Sequence, residues 1–243
     1  MTKPDIGVLG AGRVGRRLAS GLVDVGCRVM LGSRSPGADR CHHWRDQSGP
    51  RACLGTLNEA AAFGDLLVLA TVWSGVPDAL AQIDPECLEA KTVIDVTNPL
   101  VYRAGGCELA VGHTDSAGEW IQRLMETSNI VKAFNTTSVE DMVCPRFPEG
   151  RPDMLICGND PLAKEQVAAI CRWLGWNPVD VGDIRASRCL EPLSLLWIRL
   201  HGSRHRNVAV RLLWAPEHGA GEITSDRHAG QPSVRPLLQA RQA

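Results

Sequence analysis

The chain has 243 residues, with 26 Lys and Arg against 27 Asp and Glu, and a formal net charge of −1. This balance provides no global field that would attract a nucleic-acid backbone or an anionic membrane. No charged-then-apolar leader is present, and no run reaches the roughly 20 apolar residues that cross a bilayer, which predicts a cytosolic protein without nucleic-acid or membrane partners. Nine cysteines without a Cys-x-x-Cys pair indicate reduced thiols.

The first part of the chain predicts one βαβ unit, with strands at 5–10 and 28–31 and a helix at 13–25. Further strands are predicted at 51–54, 66–70, 92–96, 129–134, 153–157 and 178–181, and further helices at 57–63, 77–83 and 162–174. Apolar strand runs without polar alternation, separated by helical patterns, are typical of a parallel sheet covered on both faces. The sequence therefore predicts an α/β fold with a doubly wound, mostly parallel sheet.

Three regions follow from this pattern. Residues 1–183 are expected to form a dinucleotide-binding domain of the Rossmann type. Residues 184–214 are expected to form helices that pack on it, namely an apolar helix with a kink at Pro192 and a short helix at 207–214. Residues 215–243 are rich in Gly, Pro, Arg, His and Ser without a period, which predicts a flexible tail.

A glycine pattern, Gly10-Ala11-Gly12-Arg13-Val14-Gly15, lies between a predicted strand and a predicted helix. Gly10 permits a tight turn, Gly12 lets the backbone approach a pyrophosphate, and Gly15 allows close packing of helix and strand. The amide groups at the helix N-terminus complement the anion. The pattern predicts a dinucleotide site, the alternative being a tight turn that binds no ligand.

The residues after the second strand are expected to select between the two nicotinamide cofactors. An Asp or Glu at this position would bind the ribose hydroxyls of NAD. Here the chain has Ser33 and Arg34, and the first carboxylate is Asp39. A guanidinium flanked by hydroxyls suits a 2′-phosphate, so the sequence predicts NADP(H), unless Arg34 is only a solvated turn residue.

Three more segments follow strands whose carboxyl ends should meet the cofactor. They are Thr71-Val72-Trp73-Ser74, Thr97-Asn98-Pro99-Leu100 and Ala133-Phe134-Asn135-Thr136. Asn98 and Asn135 could hydrogen-bond the nicotinamide and Trp73 could cover it. A surface Trp and turn-forming Asn residues are the alternative interpretation.

An obvious proton donor is missing from the sequence. Tyr102 is the only tyrosine and position 106 is glycine, so the Tyr-x-x-x-Lys pair of short-chain dehydrogenases is absent. Among the four lysines, Lys132 falls inside a predicted strand and none is an evident proton relay. No residue is therefore assigned as catalytic, and such a site suits hydride transfer between two redox cofactors.

Two histidine groups carry little support for a metal site. Cys41-His42-His43 and the pair His201 and His205 lack further ligands at suitable spacing, which favours solvated loop residues and no bound metal. The polar group of Asp115 and Glu119 is more typical of a helix N-cap than of a catalytic cluster.

Several stretches together resemble a known family. They are residues 6–15, 32–34, 96–100, 131–136, 154–158, 190–193 and 196–198, with the loop at Trp73, in the family's order. The family is that of the NADP oxidoreductases dependent on the deazaflavin coenzyme F420, which includes bacterial relatives and is similar to the NADPH domain of the STEAP metalloreductases. The resemblance implies NADPH in the glycine turn, its 2′-phosphate on Ser33 and Arg34, a deazaflavin or flavin acceptor, and a homodimer formed through the C-terminal helices.

The first hypothesis is thus an NADPH-dependent oxidoreductase that exchanges hydride with a deazaflavin or flavin. An NADP(H)-binding sensor without turnover needs the same cofactor site. A third hypothesis, reduction of a small imine or ketone, requires a proton donor that the sequence does not supply.

Overall fold

The computed structural model describes residues 3–104, 106–204 and 207–215. The strands in chain order are β1 Ile6–Leu9, β2 Val29–Gly32, β3 Ala52–Gly55, β4 Leu66–Leu69, β5 Thr92–Asp95, β6 Leu100–Arg103, β7 Gly106–Leu109, β8 Asn129–Lys132, β9 Asp153–Gly158 and β10 Asn177–Asp180. The helices are α1 Arg13–Asp24, α2 Asp39–Ser48, α3 Leu57–Phe63, α4 Val76–Leu80, α5 Ala117–Leu124, α6 Pro161–Trp173 and α7 Ser187–Arg204.

Eight strands form one sheet in the order β10-β9-β8-β5-β4-β1-β2-β3. Neighbouring strands are parallel except β8 and β9, and β6 and β7 form a separate antiparallel hairpin. The chain runs outward from β1 to β3 and then returns to place β4 on the other side of β1. This reversal of direction is where open α/β sheets bind ligands, beyond the carboxyl ends of the strands. The predicted doubly wound, mostly parallel fold is confirmed.

Side chains of each central strand alternate between two apolar layers. Val8 and Val68 belong to a cluster with α1, α2 and α6, whereas Leu9 and Leu69 belong to a cluster with α3, α4 and α5. Both clusters are buried on opposite faces of the sheet, which explains why the strands read as uninterrupted apolar runs. The sheet is thereby a rigid base for the loops at its carboxyl edge.

Helix α2 and the β6–β7 hairpin were not predicted. Of the ten residues of α2 only Cys41 and Trp44 are buried, so the apolar repeat that signals a helix is missing. Trp44 anchors the helix through a hydrogen bond of 3.0 Å from its Nε1 to Ser20 Oγ.

The prediction of a helix at 207–214 is wrong. Val210 instead pairs with Asp153 in an isolated antiparallel bridge, and the Asp153 carboxylate accepts a hydrogen bond of 2.6 Å from Leu212 N. Hydrogen bonds to Asp153 at the start of β9 therefore take the place of helical hydrogen bonds in this segment. A compact unit extends to Leu212 and a second begins at Leu213, of which residues 213–215 are described. The predicted tail lies, apart from Ala215, outside the described residues.

Candidate functional site

The turn between β1 and α1 owes its shape to its glycines. Gly10 has φ +128°, a conformation that side chains disfavour, and a Cβ on Gly15 would lie 1.8 Å from Gly10 O. A Cβ on Gly12 would meet no protein atom within 4 Å. Gly12 is also the N-cap of α1, and no side chain in the described part of the chain caps its amides. The turn therefore combines open space with free N–H donors, as an anion site requires.

A cleft of about 1220 Å³ opens beside this turn. Its lining comprises Gly10, Ala11, Gly12, Arg13, Val14, Ser33, Arg34, Ser35, Arg40, Leu57, Ala70, Thr71, Val72, Trp73, Ser74, Gly75, Ala79, Val96, Thr97, Asn98, Leu100 and Tyr102. Among these described residues there are three arginines and no carboxylate, lysine or histidine. Arg13 pairs with Glu140 at 2.8 Å, so Arg34 and Arg40 supply the cleft's positive charge, although the chain as a whole is nearly neutral.

Two serines and two arginines gather at the end of β2. Ser33 is buried, and its Oγ accepts a hydrogen bond of 3.1 Å from Ser35 N, which shapes the loop. Arg34 and Arg40 are exposed, and neither forms an ion pair with another described residue. Asp39 does not line the cleft. Sequence reasoning missed Arg40 because α2 was not predicted, although its position six residues after Arg34 is a usable signal.

Predicted residues also line the cleft at the ends of β4 and β5. Thr71, Val72 and Trp73 follow β4, and the Trp73 ring meets Trp120 of α5 edge to face at 5.0 Å. The hydroxyls of Thr71 and Thr97 are buried without a hydrogen-bond partner among the described residues. Buried hydroxyls without partners are costly, so these two favour a polar ligand in the cleft.

Four predicted site residues lie behind the cleft rather than on its surface, namely Gly15, Pro99, Phe134 and Asn135. Phe134 is 1% exposed and belongs to the core. Asn135 donates hydrogen bonds from Nδ2 to Asn98 Oδ1 at 3.0 Å and to Leu190 O at 2.9 Å, while Asn98 Nδ2 donates to Asn135 O at 2.7 Å. Asn135 therefore holds Asn98 in place and ties it to α7.

A buried ion triad of Lys132, Asp95 and Glu191 supports the turn after β5 that contains Thr97. Lys132 Nζ lies 2.7 Å from Asp95 Oδ2 and 3.0 Å from Glu191 Oε1, with all three side chains fully buried or nearly so. Lys132 also donates to Thr97 O at 2.8 Å, and Asp95 Oδ1 accepts from Thr97 N at 2.8 Å. Burial alone would lower the pKa of Lys132, but the two carboxylates outweigh it and raise that pKa.

The two carboxylate oxygens of Glu191 accept hydrogen bonds from the amides of Ala117 and Gly118 at the start of α5. The triad thus joins α7, α5 and the sheet to a cleft residue. In the sequence, the signal for this triad was that Lys132 and Glu191 are charged residues within apolar stretches.

The histidine groups do not form a metal site within the described chain, where no three His, Cys, Asp or Glu side chains are placed to hold an ion. The His201 ring stacks on Trp197 at 4.9 Å, and His205 lies outside the described residues. Asp115 and Glu119 pair with Arg123 and Arg188 beside the Ser116 N-cap of α5, as the N-cap interpretation predicts. Within the same described ranges, no helix has the length and apolar character needed to cross a membrane.

Comparisons with known proteins agree with this geometry. Residues 5–99 match the family described as NADP oxidoreductase, coenzyme F420-dependent. A crystal structure from Arthrobacter sp. FB24, provisionally named an F420-dependent NADP-reductase, is 34% identical and aligns with 87% of this chain and 100% of its own at a TM-score of 0.81.

Two curated proteins are also similar. Metalloreductase STEAP3 of Rattus norvegicus is 30% identical over 198 residues, which are 79% of this chain and 37% of that protein. The F420-dependent NADP reductase of Methanocaldococcus jannaschii is 28% identical over 149 residues, which are 59% of this chain and 65% of that protein. The chain spans little more than a third of STEAP3 and about two thirds of the archaeal reductase. On the family match and the full-length structural relative, the chain belongs to the coenzyme F420-dependent NADP oxidoreductase family.

Proposed function

We propose that this chain is an NADP(H)-dependent oxidoreductase that transfers hydride between NADPH and a deazaflavin-type acceptor such as coenzyme F420. The observation that carries the proposal is the cleft itself. It joins a glycine turn with open space at Gly12 to Arg34 and Arg40, which have no ion-pair partner in the described part of the chain, and its described lining includes no carboxylate. A phosphorylated dinucleotide matches this pattern of charge and space.

Different lining residues suit different parts of the cofactor. The free amides at the start of α1 and the space at Gly12 suit the pyrophosphate. Ser33, Arg34 and Arg40 suit the 2′-phosphate, since a guanidinium can donate two hydrogen bonds to it. At the other end the hydroxyls of Thr71 and Thr97 offer donors to the nicotinamide ribose and amide.

Bound NADPH would supply two electrons and one proton as a hydride from its nicotinamide ring, becoming NADP⁺, while the acceptor ring takes one further proton from water. The described lining contains no lysine, histidine or carboxylate that could serve as a general acid, and its one phenol, Tyr102, is 78% exposed on the β6–β7 hairpin. The protein's contribution is therefore binding and orientation. This supports a deazaflavin or flavin acceptor over a small imine or ketone, whose reduction relies on a positioned donor.

The cofactor assignment is tested by titrating NADPH and NADH into Arg34→Ala and Arg40→Ala. Each substitution removes a charge-assisted contact, so we expect NADPH to bind about 10- to 100-fold more weakly and NADH to be little changed. Arg45→Ala is the matched control, because Arg45 lies on α2 like Arg40, but pairs with Asp46 and does not line the cleft. Equal losses for both cofactors would contradict a phosphate-binding role.

Turnover separates the oxidoreductase from an NADP(H) sensor with the same site. We expect NADPH to be oxidised in the presence of F420, which is measured as a loss of NADPH absorbance. Tight NADPH binding without turnover on F420 or any flavin would favour the sensor.

A homodimer through α7 is proposed as well. Leu196 is 52% exposed on this helix, so its side chain is accessible to a second copy. Light scattering on the purified protein should give twice the monomer mass, and Leu196→Glu should shift it toward the monomer.

A further inference from the structure

The β6–β7 hairpin has one apolar face and one charged face. Its register pairs Leu100 with Leu109 and Tyr102 with Cys107, so these four side chains share a face. The opposite face carries Arg103 and Glu108, which form an ion pair of 3.1 Å. Helix α7 packs against β7, whereas the Tyr102 ring on β6 is left exposed.

The apolar face of this hairpin borders the cleft. Leu100 and Tyr102 belong to the lining, and the hairpin is fixed to the turn after β5 by bonds from Leu100 N to Asn98 O and from Ala110 N to Pro99 O. Tyr102 nevertheless remains 78% exposed, and its ring makes no ring–ring contact with another described aromatic residue. A large apolar ring is thus presented to an open cleft.

Strand order decides which part of the cofactor the hairpin would meet. The proposed phosphate-binding residues follow β2, and β5 lies three strand positions away in the order β5-β4-β1-β2. Three strand spacings are about 14 Å, the scale over which a dinucleotide extends across such a sheet. The adenosine end at β2 therefore places the reactive nicotinamide near β5, next to the hairpin.

We propose that Tyr102 is the stacking platform for the acceptor, and that the apolar face of the β6–β7 hairpin forms the outer wall of a site for a planar, fused heteroaromatic ring beside the nicotinamide. This inference rests on the proposed function.

The chemistry of the wall selects the class of acceptor. Leu100 and the Tyr102 ring provide dispersion contacts and an offset stacking surface, and the described lining near them carries no carboxylate or lysine. A flat ring system gains from such a wall, whereas a small polar carbonyl compound finds no hydrogen-bond donor on it except the Tyr102 hydroxyl.

The test uses riboflavin, an uncharged planar ring, titrated into the NADP⁺-loaded protein with flavin fluorescence as the readout. We expect Tyr102→Ala to weaken riboflavin binding about tenfold, the scale of one aromatic stack, and Tyr102→Phe to stay within about twofold of the parent. The apparent KM for F420 should change in parallel. Arg103→Gln, on the opposite face of the same strand, is the matched control and should leave both values unchanged.

NADPH affinity in the absence of acceptor is measured for every variant and should be unaltered, which separates this inference from the cofactor assignment. If Tyr102→Phe loses as much riboflavin affinity as Tyr102→Ala, the hydroxyl rather than the ring is responsible and the stacking role is overturned. Unchanged binding in Tyr102→Ala overturns it too. If NADPH binds and riboflavin binding depends on the ring but no hydride is transferred, the inference holds while the proposed turnover fails.

Discussion

Gly12 and Gly15 stand three positions apart in the β1–α1 turn, and a methyl group has different consequences at each. A Cβ on Gly12 meets no protein atom within 4 Å, and its φ of −71° suits alanine. We expect Gly12→Ala to keep the unfolding free energy within about 1 kcal/mol of the parent, because alanine is a weaker N-cap than glycine but also restricts the unfolded chain. It should weaken NADPH binding tenfold or more, since the methyl group occupies the space of the pyrophosphate. Denaturant unfolding and a binding titration measure the two effects.

Gly15→Ala is the matched substitution. Its Cβ would lie 1.8 Å from Gly10 O, so the turn must shift, and we expect a loss of about 1–3 kcal/mol of unfolding free energy. Similar stability of the two variants would contradict the packing role of Gly15.

At this scale the sequence predicted the glycine turn and Arg34 because their chemistry is local. It did not show that the Asn135 amide nitrogen donates to Asn98 Oδ1 and to Leu190 O, a contact 55 residues away. Tertiary hydrogen bonds of this kind leave no local pattern.

The Asp95–Lys132–Glu191 triad is the feature that joins elements. It connects β5, β8, α5 and α7 through one lysine with no solvent exposure. The triad therefore determines how α7 sits relative to the Thr97 turn of the cleft.

Lys132→Met tests this link. Removing the cation leaves two carboxylates buried together, so we expect a loss of about 3–5 kcal/mol in unfolding free energy. The triple variant Asp95→Asn, Lys132→Met, Glu191→Gln should recover part of it. Lys164→Met, which breaks the surface pair with Asp180, should cost less than about 1 kcal/mol. Urea unfolding of the parent and the three variants measures these losses. A loss in Lys132→Met no larger than that in Lys164→Met would contradict the role of the triad.

The contact between α5 and α7 should depend on pH. A bidentate pair from Arg188 to Glu119, with bonds of 2.7 and 2.6 Å, lowers the pKa of Glu119 below its ordinary 4.5, against the opposing effect of burial. A lowered carboxyl pKa stabilises the fold above the unfolded value and loses that effect as the pH falls through the folded value. The stability difference between the parent and Glu119→Gln should therefore be full at neutral pH, begin to fall near pH 4.5 and be lost as the pH falls through the lowered pKa of folded Glu119. A stability difference that does not change with pH would show that the stabilisation does not come from the ionised Glu119 carboxylate.

Element by element, strands and amphipathic helices were predictable because burial on both faces of the sheet leaves apolar runs in the chain. Helix α2 was not, since it buries only Cys41 and Trp44. The region 207–214 was misassigned because its partner, Asp153, lies far away in sequence. The hairpin was missed because neither of its strands has a buried residue, so they leave no buried apolar run in the chain.

For the whole molecule, cofactor binding should raise thermal stability. At 100 times its dissociation constant, NADPH would stabilise the folded state by about 2.7 kcal/mol, which for a chain of this size is a rise in Tm of roughly 5–10 °C. NADH at the same concentration should give a smaller rise. The Arg34→Ala, Arg40→Ala double variant should reduce the NADPH rise to the NADH one, and an undiminished rise would exclude those arginines as the source of cofactor selection.

The uneven placement of charge has a kinetic consequence. Formal charges nearly cancel over the chain, yet Arg34 and Arg40 stand beside the cleft with no ion-pair partner among the described residues. Their potential decays within a screening length of about 8 Å at physiological ionic strength. Capture of a polyphosphate is thus a short-range event that begins at the adenosine end, so added salt should slow the association of NADPH far more than its release.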